Sequence, residues 1–221
     1  MRPGPLLRIL YPFFICLICA IPWAHAGTWV WVDKAVDGDT LRLQDGRLVR
    51  YMGINTPEID HLTHHADPFG WKAHRLNQQL VAGKKVRLEP DMARKDRYGR
   101  ILADVYDEEG QLVSLLLISK GLCYFYPHPS DAKATDDRLL SAQRNAMKQR
   151  SGIWETISRR SGPRIGNRGS RRFHKLQCPL AGAIAPYHIV RFSTPWEAYW
   201  QGYAPCDRCL PSPIKKELKH R

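Results

Sequence analysis

Residues 40–54 carry the pattern that most narrows the fold. Two short runs of alternating apolar and polar residues, 40–44 and 47–54, are joined across Asp45-Gly46. An Asp-Gly pair between such runs signals a tight hairpin, because both residues tolerate the positive φ that the favoured turn demands. A strand-like run at 28–36 precedes the hairpin. Two more follow it at 84–88 and 101–106, the second ending on the acidic turn 107–110. Helical spacing of apolar residues appears at 69–81, 113–120 and 136–149. Thr135 or Asp136 is the expected N-cap of the last helix, and Gly152 lies beyond its end. Five strands with three helices among and after them predict a small barrel rather than a doubly wound sheet. The expected class is α+β, mainly β. With 221 residues, 43% of them hydrophobic, the chain can bury a sizeable core and still carry a second module.

The first 26 residues stand apart. Arg2 and Arg8 flank the start of an apolar stretch at 9–23, followed by Ala24-His25-Ala26. A basic start, an apolar middle and an A-x-A site read as a secretory signal peptide. The stretch falls short of the roughly 20 residues that span a bilayer. Cleavage after Ala26 is expected, giving a periplasmic or secreted monomer with no stable membrane anchor. Cys16 and Cys19 leave with the signal. The remaining Cys123, Cys178, Cys206 and Cys209 are too few to form a disulfide scaffold, and Cys123 reads as a buried core residue.

Charge divides the rest. The formal net charge is +13, and 13 of the 34 Lys+Arg but only 3 of the 21 Asp+Glu lie in 156–221. The acid-free, Arg-, Gly- and Ser-rich stretch 156–172 reads as a mobile basic linker between a near-neutral unit, 27–155, and a basic module, 173–211. A basic tail, 212–221, follows. This distribution suggests an accessory grip on a polyanion such as nucleic acid.

Three clusters in the near-neutral unit offer chemistry for phosphodiester cleavage. That reaction needs phosphoryl charge neutralised and a positioned water. Asp37-Gly38-Asp39-Thr40 puts two carboxylates at a turn entering a strand. Arg50 lies on the next strand, with Asn55-Thr56-Pro57-Glu58 at its end. Asp96-Arg97-Tyr98-Gly99-Arg100 leads into a later strand. Carboxylates suit a hard divalent cation, and the arginine fork suits phosphate. Each cluster alone reads as an ordinary turn, loop or surface ion pair; their order and separation are specific.

Taken together, V-D-G-D-T-L at 36–41, R-Y-M-G-I-N-T-P-E at 50–58, D-R-Y-G-R at 96–100, S-K-G-L at 119–122 and S-G-I-W-E at 151–155 resemble the staphylococcal (thermonuclease) nuclease family. The resemblance implies a five-stranded OB-type barrel with three helices and a calcium-dependent nuclease acting on DNA and RNA. It makes Asp39 a calcium ligand, Asn55 a second ligand where the family usually has Asp, and Thr56 a ligand through its carbonyl. Glu58 becomes the general base, Arg50 and Arg100 bind the scissile phosphate, and Tyr98 lies near the nucleotide phosphate. Tyr124 and Tyr126 fall in the substrate-stacking region without individual assignment. Asn55 removes one charge from the calcium site, which predicts weaker binding, and Asp37 is a candidate to compensate. A non-catalytic nucleic-acid-binding protein is the alternative reading.

His174 and Cys178, then Cys206-x-x-Cys209 after 27 intervening residues, have the spacing of a tetrahedral zinc site with one imidazole and three thiolates. Between them 188–192 reads as a strand. Thr194-Pro195-Trp196-Glu197 reads as a capping box, with Gly202 as the C-cap. A Cys206–Cys209 disulfide is the rival expectation for an exported chain. The segment 166–211 also resembles the metal-binding domain of Ada-type alkylation-repair proteins. His174 replaces the cysteine that accepts the methyl group in those proteins, so methyl transfer is not expected. Zinc there would be structural, and the module would offer a DNA contact surface. His61, His64 and His65 read as a solvated loop.

Overall fold

The computed structural model describes residues 27–89, 94–128 and 133–210. The expected signal peptide and the basic tail lie outside the described residues. Among the described residues no helix is long and apolar enough to cross a membrane.

The first unit contains β1 (Thr28–Ala35), β2 (Thr40–Leu43), β3 (Leu48–Tyr51), β4 (Ile54–Asn55), α1 (Gly70–Val81), β5 (Lys85–Glu89), β6 (Ile101–Tyr106), α2 (Val113–Ser119), β7 (Tyr124–Phe125) and α3 (Lys133–Gln149). Five of the strands close the expected barrel in the order β1-β2-β3-β6-β5. Only the β3–β6 pair is parallel. The closing register pairs Thr28 with Leu88 and Trp31 with Lys85. Alternation decides which side chains enter the barrel: Val86 and Leu88 on β5 and Val49 and Tyr51 on β3 are buried, while their neighbours are only partly so. The expected hairpin forms, with Leu43 N–H bonded to the Arg47 carbonyl at 2.8 Å across Asp45-Gly46.

The helices tie the core to the turn that carries the carboxylates. Tyr51 donates its hydroxyl to Asn77 Oδ1 on α1 at 2.6 Å, and Asn77 Nδ2 donates to the Asp37 carbonyl at 2.9 Å. Asn77 is fully buried and satisfied by both bonds, so it fixes the 37–40 turn against the helix. α3 begins before the expected cap. Thr135 lies inside the helix and donates its hydroxyl to Asp104 Oδ2 at 3.2 Å. Its hydroxyl serves a tertiary contact on β6 instead of the helix start.

Two sequence motifs meet where α2 and α3 end. Gly121 and Gly152 have φ of +66° and +59°, and Ile153 N–H bonds to the Gly121 carbonyl at 2.9 Å. A Cβ on Gly121 would run into the Ser151 carbonyl, and one on Gly152 into the Gly121 carbonyl. Both left-handed backbone and close approach therefore require glycine. Gly121→Ala is expected to destabilise the fold by about 1–3 kcal/mol, measured as a lower midpoint in urea. An unchanged midpoint would mean that the crossing relaxes freely.

The second unit contains β8 (Arg164–Asn167), β9 (Arg172–His174), the one-turn α4 (Pro179–Gly182), β10 (Ile189–Phe192), α5 (Pro195–Trp200) and β11 (Ala204–Pro205). Its sheet runs β10-β8-β9-β11, with β9 and β11 parallel. α5 starts as expected. Thr194 Oγ1 accepts from Glu197 N–H at 3.1 Å with Pro195 in the first turn, and the Glu197 carboxylate accepts from Ser193 N–H at 2.7 Å. Gly202 follows the C-cap, Gln201.

The linker expectation requires correction at 164–172. This stretch forms β8 and the start of β9 inside the second sheet. Three of its four arginines are held by carbonyls: Arg164 bonds to Pro163 O at 2.9 Å, Arg171 to Gly202 O at 3.0 Å, and Arg172 to Pro127 O at 3.1 Å. Nor is the module a loosely tethered arm. Ala146, Met147, Ile153 and Trp154 form one apolar cluster with Phe173, Phe192, Ala198, Tyr199 and Tyr203. Buried Gln143 of α3 joins the two units, accepting from Phe125 N–H and donating to the Tyr199 carbonyl, both at 2.7 Å. Composition suggested mobility, but the aromatic residues scattered through the basic segment supply enough apolar area to dock it.

Candidate active site

The end of β3, the 37–40 turn and the 94–100 segment surround a cleft of about 1000 Å³. Its lining includes Asp37, Asp39, Arg50, Asn55, Thr56, Glu58, Tyr98 and Arg100. The structure thus gathers the metal-binding, phosphate-binding and general-base residues expected from sequence around one space, with Tyr98 and Tyr126 but not Tyr124 among the lining residues.

Asp39 stands at its floor, buried. Its Oδ2 accepts from Thr56 N–H at 2.7 Å and lies 3.1 Å from an Arg50 nitrogen. Its Oδ1 accepts from the Thr40 hydroxyl at 3.3 Å. Asp37 bonds to Asp39 N–H at 2.9 Å, closing the turn. Burial, then the neighbouring Asp39 charge, pushes the Asp37 carboxyl up to about 7. A buried and a half-buried carboxyl group this close cannot both ionise cheaply unless a cation neutralises them. That donor set fits a hard divalent cation, with Asp39, Asp37, the Thr56 carbonyl and the Asn55 oxygen to hold it.

The pair has a measurable consequence. An acid whose folded value is raised stabilises the fold while protonated, and loses that contribution as pH climbs from the ordinary carboxylate range through about 7. Without added metal, the melting temperature is expected to fall across this window. Calcium is expected to raise it at about pH 8 and much less at about pH 5. Equal calcium shifts at both pH values would argue against the carboxyl pair as the cation site.

Arg50 is locked in place. It donates to the Tyr51 carbonyl at 2.8 Å and to the Ile54 carbonyl and Asn55 Oδ1 at 2.9 Å each. Burial works against its charge, but Asp39, Asp37 and Glu58 outweigh burial and hold the guanidinium above its ordinary value. Asn55 is equally constrained. Its Nδ2 donates to the Thr56 carbonyl at 3.2 Å and to the Tyr124 hydroxyl at 2.9 Å. Asparagine at this position therefore acts as a hydrogen-bond junction between Arg50, Thr56 and Tyr124. A carboxylate could not donate to Tyr124 or to the Thr56 carbonyl.

Glu58 reaches the cleft from a loop whose backbone is held by Asp67. Asp67 Oδ2 accepts from Glu58 N–H at 3.2 Å, and Asp67 N–H bonds to the Glu58 carbonyl at 2.9 Å. Across the cleft, Arg100 makes paired bonds of 2.7 Å to the Asp96 carboxylate. Burial opposes ionisation of Asp96, yet Arg100 and the backbone N–H groups of Tyr98 and Arg100 hold it below the ordinary carboxylate range. Tyr98 is at the lip, 68% exposed, its ring within cation–π reach of Arg97 and Arg100.

The same cleft has lining residues that the sequence did not single out. Arg94 and His128 bond to each other at 3.0 Å, and Asp207 comes from the C-terminal unit. No local pattern marks Asp207, because its place depends on how two distant units dock.

His174, Cys178, Cys206 and Cys209 bring their ligand atoms within 4.8 Å of one another. All three cysteines are unpaired thiols. Burial holds the His174 imidazole below its ordinary value, which favours the neutral, ligating form. Its Nδ1 is buried without a hydrogen-bond partner. A buried imidazole with an orphaned nitrogen, grouped with three thiols, fits a zinc ion. Cys123 is fully buried, as expected. The 61–65 loop keeps its histidines on the surface, His61 Nε2 lying 2.7 Å from the Val36 carbonyl.

Comparison with known proteins agrees with this geometry. Residues 48–156 match the family described as Staphylococcal nuclease homologue. The chain is 36% identical over 132 residues to the thermonuclease of Staphylococcus intermedius, covering 56% of this chain and 74% of that protein. It is 35% identical over 130 residues to endonuclease YncB of Bacillus subtilis, covering 57% of this chain and 61% of that one. An SPbeta prophage-derived endonuclease, YokF, of the same organism matches at 35% over 43% of its length. The chain thus spans less than two thirds of the two Bacillus relatives. The family match runs from β3 to the end of the barrel unit and takes in Arg50, Glu58 and Arg100 of the cleft, and the chain belongs to the staphylococcal nuclease family.

Proposed function

We propose that this protein is an exported, calcium-dependent nuclease that hydrolyses DNA and RNA with low sequence specificity. The observation that carries the reading is the single cleft lined by Asp37, Asp39, Glu58, Arg50 and Arg100. In this reading Arg50 and Arg100 bind the phosphoryl oxygens and stabilise the charge that grows on them. Glu58 accepts a proton from the attacking water as the new oxygen–phosphorus bond forms and the bond to the leaving oxygen breaks. Arg50 enters this step already oriented by two carbonyls and Asn55, so little reorganisation is needed. Asp39, Asp37, Thr56 and Asn55 would hold the calcium, which supplies charge neutralisation at the phosphate. Tyr98 would flank the nucleotide at the lip.

The histidine and three cysteines would hold zinc in a structural role. The orphaned His174 Nδ1 and the likeness to Ada-type modules support this. The relatives' names, thermonuclease and endonuclease, support the reaction class.

One observation favours a second reading, a nucleic-acid-binding protein without turnover. Asn55 offers its oxygen to Arg50 and its amide to Thr56, the groups a metal and phosphate would engage. Digestion of single-stranded DNA, duplex DNA and RNA with calcium or chelator separates the two. Cleavage that needs calcium supports the nuclease; binding without cleavage in calcium supports the alternative. Metal analysis of the full chain is expected to find one zinc, and a Cys206–Cys209 disulfide by mass spectrometry would overturn that assignment.

A further inference from the structure

The cleft's outer edge is built from both units. Tyr126 follows β7 and is anchored by its N–H to the Gly53 carbonyl at 2.8 Å. Its ring is covered by the Arg172 guanidinium at 3.7 Å. Its hydroxyl donates to Asp207 Oδ2 at 3.2 Å. Arg172 is further fixed by its bond to the Pro127 carbonyl. The two groups holding this tyrosine therefore come from the C-terminal unit, although Tyr126 itself belongs to the barrel.

Both lie beside the metal-ligating cluster. Arg172 is two residues before His174, and Asp207 directly follows Cys206. Arg172 starts β9 and Asp207 lies two residues past β11; these strands are paired, Ala204 opposite Arg172 and Pro205 opposite Phe173, and Cys206 N–H bonds to the Phe173 carbonyl at 2.9 Å. These strands are only three and two residues long. So short a ladder fixes little by itself. A metal joining His174 to Cys206 would clamp the two strands at the point where they leave the sheet.

We propose that the module is part of the substrate site: metal at the His174, Cys178, Cys206 and Cys209 cluster positions Arg172 and Asp207 around Tyr126, and so sets affinity for single-stranded nucleic acid in the cleft. This rests on the nuclease reading for its substrate class. Arg172 adds a cation at the mouth, where a strand leaving the Arg50–Arg100 region would pass. Asp207 takes no phosphate; it keeps the Tyr126 ring at a fixed angle. Arg172 and Asp207 are positioning and binding groups, distinct from the residues that act on the reacting phosphate.

The test uses the full chain, with Glu58→Gln as background for binding. Fluorescein-labelled oligothymidylate is titrated by anisotropy, with calcium in excess, before and after treatment with a zinc-selective chelator. Stripping is expected to weaken binding by roughly tenfold. Arg172→Met is expected to weaken binding similarly with zinc content unchanged, to lower the salt slope by about one, and to make stripping largely ineffective. Tyr126→Phe, which loses only the bond to Asp207, is expected to show a smaller loss in the same direction. In the cleaving chain, Arg172→Met should raise KM while leaving kcat within about twofold. Additive effects of stripping and Arg172→Met, or a loss confined to kcat, would overturn the proposal. If the chain bound the probe in this coupled way yet never cleaved nucleic acid, the nuclease reading would fail while this coupling stood.

Discussion

Glu58→Gln is expected to lower turnover on single-stranded DNA by roughly 10²–10⁴-fold, the usual contribution of a positioned general base. The loss should fall on kcat, with KM changed only a few-fold. Gln keeps the length and shape of the side chain and removes only the ability to take a proton from water. The loop should hold its place, because the Glu58 N–H and carbonyl are both bonded to Asp67. Arg50 keeps Asp39 and Asp37 as compensating charges, so its orientation should survive as well. A variant with wild-type kcat would remove Glu58 from the chemistry. One that lost activity only through a lowered melting temperature would make it a structural residue.

The barrel was legible because its signals are local. Asp45-Gly46 and the flanking alternation define a hairpin within about ten residues, and Val86 and Leu88 show the period of two that buries one face. Asp39, Arg50, Glu58 and Arg100 could be found for a related reason: each lies in a short motif at a fixed place on a strand or turn. What escaped were individual side-chain contacts between residues distant in sequence. Asn55 read as a weakened calcium ligand, yet its amide serves Tyr124, 69 positions away. Thr135 read as a helix cap, yet its hydroxyl reaches Asp104 on β6. Asp207 carried no signal at all.

The linker shows the same limit from the composition side. Arginine, glycine and serine with no acids ordinarily mean a chain that cannot bury enough apolar area to order itself. Here 164–172 borrows its order from strands on either side and from carbonyls at Gly202 and Pro127. The basic charge is consequently part of a docked unit. Arg172 packs on Tyr126, a lining residue of the cleft, instead of acting as a distant arm.

Trp154→Ala is expected to destabilise the whole chain by about 3–5 kcal/mol, the range for removing a large aromatic side chain from a core. For a chain of this size that corresponds to a drop in melting temperature on the order of 10 °C. Trp154 is fully buried at the centre of the cluster that joins the two units. Its ring meets Tyr199 edge-on at 5.2 Å and Trp196 at 5.9 Å. The indole N–H has no hydrogen-bond partner, so the contribution comes from buried area and ring contacts rather than a polar bond. Because the cluster also holds Met147 of α3 and Phe173 of β9, barrel and module should unfold together in the wild type. The variant should show a lower midpoint, and increased sensitivity of the module to protease. Trp154→Phe should recover part of the loss by refilling some of the cavity. Separate unfolding transitions in the wild type, with Trp154→Ala shifting only one, would mean that the two units are energetically independent despite their shared core.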